Sequence, residues 1–81
     1  MDHARVANLL LKIAMRMPVL LGPMKFVIKI YVEKALNSAG ISTEDLQWIN
    51  TSEYQMLKDF ESLICKHPTK LDVFEKIFTV L

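Results

Sequence analysis

Cysteine, glycine and proline are scarce in this chain. Its 81 residues hold one cysteine, two glycines and three prolines. A single cysteine excludes an internal disulfide framework. Two glycines, Gly22 and Gly40, exclude a glycine-rich phosphate-binding loop and leave little material for the hairpin turns of an all-β fold. Long apolar runs are missing too. The stretch from Val6 to Leu21 is interrupted by Lys12 and Arg16, and no small-residue cleavage site follows it. It therefore reads as neither a secretory leader nor a spanning helix, which needs about 20 predominantly apolar residues. The length itself leaves no room for an enzyme with a separate cofactor domain.

What the chain does have is an apolar surplus. Hydrophobic residues make up 52% of it and charged residues 23%, with a mean hydropathy of +0.25. Such a composition excludes intrinsic disorder. A domain of this size hides only about 60–65% of the surface its unfolded chain exposes. The remaining apolar side chains are expected to face another chain, a membrane or a ligand, and self-association as a homodimer is the leading expectation.

Charge is unevenly spread behind a formal net of +1. Residues 1–40 carry six basic residues (Arg5, Lys12, Arg16, Lys25, Lys29, Lys34) against Asp2 and Glu33. Residues 41–81 carry four lysines against seven acids. A basic half attracts acidic partners, but this excess is modest beside a nucleic-acid surface. Mutual neutralisation of the two halves, within one chain or across a dimer, is the preferred reading.

Periodicity predicts a single all-α domain over residues 1–81, a small bundle of four to five helices. The first helix spans about Asp2 to Met17, with Arg5, Asn8, Lys12 and Arg16 on one narrow arc and apolar residues elsewhere. A helix apolar over most of its circumference is surrounded on more than one side. Pro18 ends it. The second helix starts near Pro23 and stops at Gly40, with Ile41 and Leu36 placed to touch across a left-handed C-terminal turn. Residues 24–33 also alternate like a strand, but one strand cannot stand without a partner, so helix is preferred. Ser42 with Asp45 predicts the start of a short helix from Thr43 to about Asn50, stapled by Ile41 and Leu46. Ser52 with Gln55 reads as a capping box for a helix of about fourteen residues. Its Met56, Leu57, Phe60, Leu63 and Ile64 share one apolar face, and Pro68 closes it. Thr69 with Asp72 is expected to cap the last helix, whose face is Leu71, Phe74, Ile77, Phe78 and Leu81.

Reactive chemistry is thin. Cys65, His67 and the distant His3 fall short of the four ligands of a zinc site, so no metal and no cofactor is expected. The carboxylate pairs Glu44/Asp45 and Asp59/Glu61 sit at polar helix positions rather than in apolar pockets where a carboxyl becomes a general acid. An enzyme is therefore not expected.

Two surfaces stand out instead. The first is the connector 17–24, which has no charged or hydrogen-bonding side chain although loops are ordinarily polar. Three methionines lie in or beside it, and methionine suits adaptable binding surfaces. Met15, Met17, Val19, Leu20, Leu21 and Met24 are the candidate partner-binding residues. Charges placed at Leu20 and Leu21 are accordingly expected to break association rather than the helices. The second is the segment 35–49, which resembles a helix-turn-helix: a helix, a glycine turn, then a second capped helix. By that resemblance Ser42, Thr43, Gln47 and Trp48 would face DNA. The second helix, however, carries Glu44 and Asp45 and no basic residue, whereas DNA affinity rests on phosphate neutralisation.

The sequence therefore points to a small non-enzymatic protein-binding module, acting as a regulator, inhibitor, chaperone or assembly subunit. Its expected partner is a second copy or another protein. A DNA-binding regulator is the alternative, and a membrane surface is a lesser one. An unpaired thiol fits the cytoplasm.

Overall fold

The Asp2 carboxylate accepts the backbone N–H of Arg5 at 3.1 Å and opens the first helix, α1 (His3–Met15). A computed structural model describes residues 2–48 and 51–81. Among them the chain forms five helices and no strand. These are α1, α2 (Met17–Leu20), α3 (Lys25–Ser38), α4 (Glu53–Lys66) and α5 (Leu71–Val80). The all-α expectation holds, and residues 25–38 take the helical rather than the strand alternative.

Helix α1 packs between α4 and α5, while α3 packs on α2 and α5. Leu9 and Ile13 of α1, Val32 and Leu36 of α3, Phe60 of α4 and Phe74 of α5 belong to one apolar core. No polar or charged side chain among the described residues is buried in it. The polar arc of α1 lies along α5. Arg5 there grips Glu75 with two hydrogen bonds of 2.6 and 2.8 Å, and Lys12 reaches the Thr79 hydroxyl at 3.2 Å. Arg5–Glu75 thus joins the basic half of the chain to the acidic half. The Arg5 hydrogen bond and charge hold the Glu75 carboxyl below the ordinary glutamate value.

The connector after α1 differs from expectation. α1 stops at Met15, and Met17–Leu20 winds into a further helical turn with Pro18 at its start. Proline costs nothing there, since the first turn has no use for its N–H. The amides of Leu20 and Leu21 donate to the carbonyls of Arg16 and Met17. An apolar segment can be buried because its own backbone supplies these partners. Gly22 then lets the chain turn back tightly: a Cβ on it would lie 2.2 Å from the Pro18 carbonyl oxygen.

The end of α3 follows the sequence closely. Gly40 has φ of 78°, the Ile41 amide donates to the Leu36 carbonyl and the Gly40 amide to that of Asn37, both at 3.0 Å. This is the Schellman arrangement. Gly40→Val is expected to lower stability by about 1–2 kcal/mol, because a β-branched side chain is strained at positive φ. That corresponds to a fall in Tm of roughly 4–16 °C for a domain of this size. Asn37→Ala, on the exposed side of the last turn, is expected to leave Tm near the wild-type value. Thermal melts of both variants check this, and an unshifted Gly40→Val melt would contradict it.

Three terminal signals are read differently by the fold. Residues 43–48 are not helical. Ser42 Oγ accepts the Glu44 amide at 3.5 Å, and the Leu46 amide donates to the Thr43 carbonyl at 3.1 Å, so the capping signature closes a turn. Ile41, Leu46 and Trp48 all enter the core from this stretch, and a helix would carry Leu46 and Trp48 to opposite sides. The expected helix also included Ile49 and Asn50, which lie outside the described residues. At α4, Ser52 accepts the Gln55 amide at 3.1 Å, but the Gln55 side chain turns forward to Asp59 at 2.8 Å rather than back to the cap. At α5 the N-cap is Lys70, without a side-chain cap from Thr69. The Lys70 ammonium donates instead to the Ala39 carbonyl, tying the start of α5 to the end of α3.

Candidate functional site

The six candidate partner-binding residues do not share one surface. The single turn of α2 places Met17 and Leu20, three residues apart, on its inner side, and both are buried in the core. They leave the candidate surface. Leu21 is half-buried and packs against the core. Met15, Val19 and Met24 are exposed.

The DNA-facing set fails geometrically. With no helix over residues 43–48, Ser42 and Gln47 are exposed on a loop, Thr43 is half-buried with its hydroxyl donating to Asn37 Oδ1 at 3.4 Å, and Trp48 is buried against Phe60, edge to face with ring centres 6.4 Å apart. Asp45 is engaged by Lys66 at 3.0 Å.

One unpartnered apolar surface is on α3. Phe26, Val27 and Ile30 are 55%, 56% and 64% exposed. Their spacing of i, i+1 and i+4 puts them together on one side of the helix, opposite the buried Val32 and Leu36. Exposed Met24 and Tyr31 extend the patch along one edge. Lysines border it. The Lys25 ammonium lies 5.4 Å from the centre of the Phe26 ring, a cation–π distance. Lys29 bridges to Glu33 at 3.1 Å along the helix, and Lys34 is exposed one turn beyond Ile30. Sequence reading weighed residues 24–33 between helix and strand and did not single out this face. Its signal was present all the same: a helix with apolar residues on every side has more of them than one packing face can cover.

A second apolar surface is a groove between α1 and α4. It is lined by Ala7, Leu10, Leu11 and Ala14 on one side and by Tyr54, Leu57, Lys58 and Glu61 on the other. It is a shallow depression of about 630 Å³, open to solvent. Lys58 lies over the Tyr54 ring at 5.2 Å from its centre, at one rim of the groove.

Cys65 is exposed and unpaired. Among the described residues no group of three or more His, Cys, Asp or Glu side chains is placed to hold a metal ion, and no helix is long and apolar enough to cross a membrane. Comparison of the chain with protein families, with curated proteins and with solved structures finds no match.

Proposed function

We propose that this chain is a small non-enzymatic, cytoplasmic protein-binding module, acting as a regulator, inhibitor, chaperone or assembly subunit through the outer face of α3. The exposure of Phe26, Val27 and Ile30 side by side carries this reading. Covering a large apolar side chain is worth about 1.5–3 kcal/mol, so three together on one helix form a ready binding patch. Apolar residues scattered singly would need no such explanation. α3 does not owe its helical form to this face, because Val32 and Leu36 already anchor its inner side. The single unpaired thiol supports a reducing compartment. A DNA-binding role would need another surface, since the turn at 43–46 replaces the start of the helix that was to enter a groove.

The test is Ile30→Glu. The side chain is exposed, so the variant is expected to melt within a few degrees of wild type. A carboxylate at the centre of an apolar contact costs several kcal/mol, which means a loss of binding well beyond tenfold. Affinity capture from the producing cell, with quantitative mass spectrometry of wild type against Ile30→Glu, measures it. Sedimentation velocity covers the case in which the partner is the chain itself. Equal capture and equal assembly by the two proteins would overturn the reading.

A further inference from the structure

We infer that the outer face of α3 takes an acidic amphipathic segment of another protein, one with carboxylates on both sides of a short apolar stretch. The inference rests on α3 being a protein-binding surface and names the chemistry of what binds there.

Charge around the patch is of one sign. Between residues 3 and 43 the chain holds six basic side chains and a single acid, Glu33. Glu33 is held by Lys29 at 3.1 Å, so this pair adds no net charge at the edge of the patch. Two lysines of α3 remain. Lys25 stands at the N-terminal end, its ammonium 5.4 Å from the centre of the Phe26 ring. Lys34 stands at the other end and is exposed. It follows Ile30 by four residues and so lies on the same side of the helix. Among the described residues, neither lysine is ion-paired with an acid. Off the helix, Asp72 of α5 lines a depression beyond Tyr31, together with Lys76 of opposite sign. An exposed apolar patch with unpaired cations at both ends repels a basic partner and draws an acidic one.

Spacing and relief agree with this. Lys25 and Lys34 are nine residues apart, or about 14 Å along the helix axis. Phe26, Val27 and Ile30 fill the first half of that distance. In the second half lies a depression of about 210 Å³ lined by Tyr31, Lys34, Ala35 and Ser38. It offers a place for an apolar side chain beside the Lys34 ammonium. The partner matches this face when apolar side chains sit between two acids about 14 Å apart, which a helical segment of about ten residues or an extended one of about five provides. A flat anionic bilayer matches it less well. The outer side of α3 is polar again from Lys34 through Asn37 to Ser38, whereas a helix lying on a membrane keeps its apolar stripe along its length. A contact of this size is of the transient kind.

Fluorescence anisotropy of the full chain with three labelled peptides, each as long as α3, tests the inference. The peptides share one apolar stripe and differ only in the positions flanking it, which are all glutamate, all glutamine or all lysine. The glutamate peptide is expected to bind about tenfold more tightly than the lysine peptide, with the glutamine peptide between them. Ile30→Glu is expected to lose the glutamate peptide, because it sets a charge inside the apolar contact. Lys25→Glu with Lys34→Glu is expected to weaken the glutamate peptide about fivefold or more and to strengthen the lysine peptide. Lys58→Glu with Lys66→Glu, the same change of charge on α4, is expected to move both by less than about twofold. Circular dichroism checks that every variant folds. Equal binding of the three peptides, all lost in Ile30→Glu, would overturn the acidic partner while sparing α3 as a protein-binding surface. A glutamate preference that survives Ile30→Glu would place the acid-binding surface elsewhere and overturn the inference, as would no binding of any peptide at millimolar protein. Sedimentation of wild type with vesicles of phosphatidylcholine and phosphatidylglycerol, lost in Ile30→Glu and without any preference for the glutamate peptide, would overturn it in favour of a lipid surface.

Discussion

Phe60→Ala is expected to remove a large share of the stability of this fold. Phe60 is fully buried. Its ring meets Phe78 of α5 edge to face at 5.2 Å and Trp48 of the 41–48 loop at 6.4 Å. One side chain therefore joins α4, α5 and the loop. Truncating a buried phenylalanine costs about 3–5 kcal/mol, through lost transfer energy and the cavity left behind. A chain of this length has roughly 4–12 kcal/mol in all. In urea denaturation the midpoint should fall by about a quarter or more, and a chain at the low end of that stability range would be substantially unfolded without denaturant. An unchanged midpoint would show that the surrounding rings close over the gap.

The double substitution Leu20→Asp with Leu21→Asp is expected to abolish the cooperative melt. The sequence pointed the other way, toward loss of association with the helices retained, because an apolar connector between two prolines reads as a surface. In the fold Leu20 has no exposed surface and Leu21 packs against the core. Removing a buried leucine costs about 2–5 kcal/mol, and forcing a carboxylate into the same apolar place adds several more. Either amount alone approaches the total stability. Val19→Asp, at an exposed position of the same turn, is the control and should melt close to wild type. Thermal circular dichroism separates the outcomes. A sigmoidal, helical melt of the double variant would mean that α2 is not anchored in the core.

Sequence alone determined the local features whose signals and bonding partners lie within a few residues. The α3 end was legible because Gly40, Leu36 and Ile41 are both the signal and the structure, joined by backbone bonds across a single turn. The Ser52 cap and the buried faces of α4 and α5 were legible for the same reason: helical spacing fixes which side chains share a side before any partner is chosen. The turn at 43–46 was not legible. Ser42 and Asp45 fit a helix start as well as a turn, and what decides between them is the burial of Ile41, Leu46 and Trp48 against elements far along the chain. The same holds for α2. Pro18 and Gly22 mark breaks in the pattern, but only packing on the rest of the fold sends Met17 and Leu20 inward and leaves Val19 in water. Composition established that apolar side chains exceed what so small a core can hold. Which of them stay outside was decided by tertiary structure, because α3 is apolar on both sides and its packing on α2 and α5 covers one of them, leaving Phe26, Val27 and Ile30 exposed.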